Sequence, residues 1–177
     1  MQYNISPETL VETRHPSVTV DKILNQELTF EMYKDNAVCA NGAMYRKDVR
    51  GFLPELMEKI YKDRTIYQKK MLEAKQQYEK TKTKKLEKEI ARCNNIQMAR
   101  KIQLNSAYGA IGNQYFRYYK LACAEAITLG GQFSIRWIEN KMNIYINKIL
   151  KTKDVDYVIA SDTDSIYLHM GPLVETV

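Results

Sequence analysis

Apolar residues follow no fixed period through positions 1–36, where polar residues dominate and Pro7 and Pro16 break the chain. Ser6 ahead of Pro7, with Thr9 close by, suits the start of a short helical turn. In "NAVCANGAMYRKD" short apolar runs flank Asn41-Gly42, a pair that favours a two-residue type I′ turn and so a β-hairpin near 37–46. From Leu53 the spacing becomes helical. Pro54 fits a first turn, and Leu56, Ile60, Tyr67, Met71 and Leu72 recur to about Tyr78. "EKTKTKK" (79–85) then reads as the tip of a helical hairpin. A second helix from about Lys84 to Ala107 carries Leu86, Ile90, Cys93, Ile96, Gln97 and Leu104 on one broad face. Two such helices joined by a short turn pack antiparallel and project as an arm.

"YGAIGNQYFRYYK" supplies glycines and aromatics for a compact turn, and residues 121–149 form a third helical stretch. Its Ala122, Ala126, Leu129, Phe133, Trp137, Ile138, Met142 and Tyr145 predict a buried stripe, with Gly130-Gly131 allowing close packing or a bend. "DYVIA" and "SIYLHM" are two strands joined by an acidic turn. The order of hairpin, long helical pair, buried helix and hairpin predicts an α+β chain.

Charge sharpens this picture. The 177 residues carry a net charge of +6, and 59–101 hold about half of all Lys and Arg. That balance favours acidic partners, nucleic acid or nucleotide phosphates first. Cys39, Cys93 and Cys123 are far apart and form no C-x-x-C pair, which argues against a disulfide framework or a zinc site and for a reducing cytosol. The first residues lack the apolar core of a signal peptide, and no run reaches the ~18–20 apolar residues of a membrane span. A soluble, intracellular protein is expected.

Two groups of residues carry candidate chemistry. Asp162 and Asp164 lie one residue apart between β-branched runs, so both carboxylates can point to one side of a tight turn. A calcium loop starting at Asp162 fails, because Ile166, Tyr167 and Leu173 stand where an oxygen ligand, a glycine and a glutamate are needed. A nucleotide-sugar site and a plain solvated turn both fit the spacing, which Asp154 and Asp156 repeat. In the second helix, Lys101, Asn105 and Tyr108 fall at i, i+4 and i+7, within about 60° of arc. The stripe offers a cation for a phosphate, an amide and a ring for stacking, and Gly109 removes a side chain just beyond. Arg64, Gln68 and Met71 repeat the spacing on the first helix. Antiparallel pairing brings Arg64 and Lys101 near the base of the arm, where two cations can clamp a polyphosphate. The remaining arm lysines read mainly as a solvated face.

Together these segments resemble a family B DNA polymerase, with the context of the branch found in T-even-type bacteriophages. "KIQLNSAYGAIGNQYFRYY" resembles motif B, the fingers helix facing the incoming nucleotide, and "SDTDSIY" resembles motif C of the palm. "YNISPET" resembles the segment after motif A, and "ANGAMYRKD" with the Arg64 helix resembles the approach to the fingers. The resemblance implies fingers built as an antiparallel helical hairpin over 53–109. It also implies an incomplete palm made of 1–52 and 110–177.

By the same resemblance, Asp164 matches the aspartate that binds both catalytic Mg²⁺ ions, and Asp162 its less direct companion. Arg64 and Lys101 match contacts to the triphosphate of the dNTP, and Asn105 a further nucleotide-binding residue. Tyr108 matches the ring beside the nascent base pair, and Gly109 the glycine that leaves room there. Gln68 stands where the family has a second phosphate-binding lysine, Ser161 replaces a glycine before the acidic turn, and the arm is shorter than in the large phage enzymes. Motif A is expected just before Asn4, where the chain reads Met1-Gln2-Tyr3. The implied function is DNA-directed DNA polymerisation on a primer-template in phage replication, in the host-cell cytoplasm and without a membrane. The second set of metal ligands, with motif A and the thumb, is expected from complementary polymerase fragments, as in a split polymerase. Alternatives are a catalytically inactive remnant, a non-enzymatic basic DNA-binding module and, least fitting, a glycosyltransferase.

Overall fold

The computed structural model describes residues 2–28, 30 and 34–175. Its elements are β1 (Leu10–Val11), α1 (Val20–Leu24), β2 (Asn36–Val38), β3 (Met44–Arg46), α2 (Phe52–Thr81), α3 (Lys84–Ile111), α4 (Leu121–Leu150), β4 (Val158–Asp162), β5 (Ser165–Leu168) and α5 (Gly171–Val174). β1, β3 and β2 form one sheet in that order, and β4 pairs with β5 in another. The chain is thus α+β, with a long helical hairpin and a C-terminal β-hairpin. It divides into two compact units, 1–10 with 45–124 and 11–44 with 125–177.

In the first unit, α2 starts without a capping side chain of its own, because Gly51 occupies the cap. Three alternate residues of the N-terminal segment replace it. Asn4 Oδ1 accepts from Gly51 N at 2.9 Å, Ser6 Oγ from Leu53 N at 3.4 Å, and Glu8 Oε1 from Phe52 N at 2.6 Å. These bonds satisfy N–H groups that a helix start leaves orphaned. Burial pushes the Glu8 carboxyl up, but the Ser6 hydroxyl and the Phe52 N–H outweigh it and hold the group below its ordinary value. Asn4 also donates to Arg46 O and Val49 O, both at 2.7 Å, from a left-handed backbone at φ 55°. Gly51 is required here, since a Cβ would stand 2.7 Å from Ser6 Cβ. Ser6 to Thr9 is a single turn closed by Thr9 N donating to Ser6 O, in place of the expected helical start.

The arm follows the hydrophobic pattern closely. Cys93 and Gln97 of α3 and Ala74 of α2 are buried, while Ile60, Tyr67, Met71, Leu86, Ile90, Ile96 and Leu104 are half-buried. Leu56 and Leu72 are exposed, because the contact between two helices is narrower than the stripe they were assigned to. α2 runs to Thr81, and the connection is only Lys82-Thr83, with Lys82 left-handed at φ 43°. Phe52, Phe116 and Tyr118 pack together near the start of α2 and the 112–120 turn.

In the second unit, the loop between β2 and β3 departs from the type I′ expectation. Gly42 N donates to Cys39 O and Cys39 N to Ala43 O, while Gly42 alone has positive φ, at 76°. The loop is therefore three residues ending in a left-handed glycine, the alternative short hairpin connection. A Cβ at Gly42 would lie 2.5 Å from His15 O. The part of 1–36 expected to be irregular contains β1 and α1, the latter capped by Thr19. Positions 1, 29 and 31–33 of that stretch lie outside the described residues.

α4 corrects a second expectation. Ala126 and Ile146 are buried, yet Trp137, Ile138 and Tyr145 are exposed, Tyr145 by 59%. An apolar stripe is buried only where a second layer covers it, and the described residues lay none over that face. The β4–β5 hairpin is tied to α4 at its root. Asn143 Oδ1 accepts from Tyr157 N at 2.9 Å, and Asn147 Nδ2 donates to Val155 O at 2.7 Å. The Tyr157 ring is buried, and its hydroxyl lies 2.9 Å from Thr152 Oγ1. A two-stranded hairpin is marginal by itself, so this anchoring is what holds it.

Candidate active site

Arg64, Lys101, Asn105, Tyr108 and Gly109 all lie in the first unit, on α2 and α3. An ion pair between Asp63 and Arg100, at 3.4 Å, crosses from one helix to the other. It sets the next residues, Arg64 and Lys101, at one level of the arm, in the first half of α2 and the second half of α3. Arg64 is half-buried, and its Nε and that of Arg100 have no hydrogen-bond partner among the described residues. An orphaned buried N–H on a permanent cation is costly, and an anionic oxygen or a water would relieve it.

Lys101, Asn105, Tyr108 and Gly109 are exposed along an unbroken helix, so the stripe read from the sequence is real. Lys101 has no ion pair among the described residues. A Cβ added at Gly109 would meet nothing within 4 Å, so packing inside this unit does not demand a glycine there. Gln68 and Lys69 are both exposed, about 100° apart around α2. The Asp63–Arg100 pair and the cap from Asn4, Ser6 and Glu8 escaped sequence reasoning. The one available signal was that Arg64 and Lys101 are each preceded by a residue of opposite charge to the other's neighbour.

Asp162 and Asp164 lie in the second unit, at the turn of the β4–β5 hairpin. Asp162 pairs with Ser165 and Ser161 with Ile166, leaving Thr163-Asp164 as the loop. Asp164 N donates to Asp162 O at 2.6 Å across Thr163, whose φ is +51°. That is a γ-turn of the strained hand, uncommon for a β-branched residue. Thr163 Oγ1 donates to Asp162 Oδ1 at 2.9 Å, and Ser165 Oγ to Asp162 O at 3.2 Å. The turn therefore orients Asp162 and leaves the exposed Asp164 carboxylate without a partner among the described residues. Hard carboxylate oxygens suit Mg²⁺. Among the described residues, however, no group of three His, Cys, Asp or Glu gathers to hold an ion. The donor type fits, and the number falls short of two ions.

In the other D-x-D pair, Asp156 has a structural role. Asp156 Oδ1 accepts from Asn143 Nδ2 at 2.8 Å and Val158 N at 3.0 Å, and the Val158 N–H followed by the Asn143 amide holds its carboxyl below the ordinary value. A cavity of about 460 Å³ beside it is lined by Asn143, Asn147, Asp154 and Asp156, among others, but by neither aspartate of the turn.

Residues 1–174 match the model of DNA polymerase family B. The chain belongs to DNA polymerase family B. It is 32% identical to the DNA-directed DNA polymerase of Enterobacteria phage T4 and 31% identical to that of Escherichia phage RB69. Each match covers 99% of this chain and 24% of the relative, so the chain spans about a quarter of their length. A DNA polymerase of Pyrococcus glycovorans is 33% identical over 68% of the chain. The two phage matches extend over 218 positions against 177 residues here, so those family B relatives carry insertions within the matched stretch. Among the described residues, no helix is long and apolar enough to cross a membrane.

Proposed function

We propose that this chain provides the nucleotide-binding arm and the metal-binding hairpin of a DNA-directed DNA polymerase. One observation carries the reading: a single family match, from residue 1 to 174, contains both the Lys101–Asn105–Tyr108 stripe and the Asp162–Asp164 turn. In this reading 53–109 act as fingers, and 1–52 with 110–177 belong to the palm. Bound at the turn, two Mg²⁺ ions supply activation of the primer 3′-hydroxyl and stabilisation of charge on the transferring phosphate. Asp164 would hold them through its exposed carboxylate. Asp162, pinned by Thr163, orients the turn and contributes an oxygen. Arg64 and Lys101 bind the triphosphate of the dNTP, Asn105 hydrogen-bonds the nucleotide, and Tyr108 packs against the new base pair. Gly109 leaves room beside it. Movement of the arm onto the nucleotide links recognition of a matched pair to transfer.

Two carboxylates cannot satisfy two ions that each demand near-octahedral oxygen coordination. The remaining ligands come from polypeptide beyond these 177 residues, together with the surfaces that hold primer and template. The reading is tested by primer extension with this chain plus a polypeptide carrying the complementary portion of a family B polymerase. Mg²⁺-dependent extension that needs both components is the expected result. Stable association without extension would leave the chain an inactive remnant.

A further inference from the structure

We propose that the outer end of the α2–α3 arm is a binding surface for the phosphate backbone of nucleic acid. Residues 69–88 hold eight lysines and three glutamates, and so five of the chain's six net positive charges. All eight lysines are exposed. Elsewhere on the arm several cations are paired: Lys62 with Glu58, Arg100 with Asp63, Arg92 with Glu89. On the outer end, among the described residues, no lysine forms an ion pair with a carboxylate; Lys70 overlies the Tyr67 ring and acts on the Glu89 carboxylate only at longer range. Lys80, Lys82, Lys84 and Lys85 crowd into six residues at the turn, where like charges repel. The positive end of the 28-residue α3 dipole points there too, and Thr83 makes no side-chain cap bond to spend it. A face that needed only solubility would mix signs, as the inner arm does.

The partner's class follows from what accompanies the lysines. Over 69–88 the large apolar residues are Met71, Leu72, Tyr78 and Leu86, of which only Leu72 is exposed. A single aliphatic side chain is therefore left for a bilayer and no exposed ring for stacking on a base. Flexible ammonium groups without rings contact phosphates and ignore sequence. The inference goes beyond the proposed function, since it requires no catalysis and does not involve Lys101 or Asp164.

The test uses the full chain and fluorescent oligonucleotides, one duplex and one single-stranded, with affinity measured across NaCl concentration. The variant replaces Lys80, Lys82, Lys84 and Lys85 with Gln, which keeps helix propensity. The control replaces Lys141, Lys148, Lys151 and Lys153 with Gln, the same change of charge on α4 and the loop after it. The slope of log affinity against log salt should flatten by about 3.6 on duplex, or about 2.8 on a single strand, in the arm variant. It should stay unchanged in the control. Equal slopes in wild type and arm variant, equal flattening in both variants, or no DNA binding by wild type would overturn the proposal. The same titrations run on polyglutamate and on phosphatidylserine vesicles would overturn it too if the arm variant lost binding to those and kept its binding to DNA.

Discussion

Asp164→Ala is expected to abolish primer extension in the reconstituted polymerase, by roughly 10³-fold or more. In the proposed reading Asp164 is a ligand shared by both ions, so its loss would remove several kcal/mol of charge stabilisation, and each ~1.4 kcal/mol is a tenfold in rate. The fold should not suffer. The Asp164 carboxylate is exposed and bonded to nothing among the described residues, whereas the hairpin is anchored at its root through Asn143, Asn147 and Tyr157. Association with the complementary polypeptide and far-UV circular dichroism should therefore match wild type while extension disappears. Asp162→Ala should be milder in chemistry, and it also frees the Thr163 hydroxyl from its acceptor. Near-normal extension by Asp164→Ala would refute the role assigned to the turn.

Lys101→Ala is expected to lower kcat/KM for the incoming dNTP by about 10- to 100-fold, chiefly through KM. A charge-assisted bond to phosphate contributes about 1.5–3 kcal/mol, which sets that range. Lys101 is exposed and sits inside α3, where alanine is the best helix former, so stability should hold or rise slightly. The neighbouring Arg100→Ala separates the two kinds of effect. It breaks the pair with Asp63 across the arm and should lower stability more than nucleotide affinity. Lys101→Arg should recover part of the affinity. An unchanged KM in Lys101→Ala would place the triphosphate elsewhere.

Local periodicity carried most of what was legible in the sequence. The arm needed only the 3.6-residue pattern and a polar turn, and α2 overran its expected end by one turn because "EKT" keeps helical propensity without needing burial. The β4–β5 hairpin was legible from two β-branched runs around acids. What depended on distant partners was not. The cap of α2 comes from Asn4, Ser6 and Glu8, more than forty residues upstream, so no local pattern marks it. Asn41 invited a two-residue turn, yet the approach of His15 to Gly42 accompanies a three-residue loop. Trp137 and Tyr145 are apolar at helical spacing, which shows that a stripe exists and not what covers it. At the candidate site, residue types and spacing gave the stripe and the turn. The strained γ-turn at Thr163 and the orphaned Nε of Arg64 required coordinates.

The claim beneath these expectations is that hairpin and arm serve one nucleotide. Iron-mediated cleavage tests it most directly: ferrous ion replaces Mg²⁺ in the assembled polymerase with primer-template and a non-hydrolysable dNTP, and peroxide then cuts the backbone around the ion. Cuts at 162–164 and again in α3 around Lys101 to Gly109, both lost in Asp164→Ala, are the predicted result. Cuts at the hairpin with α3 left intact would contradict it.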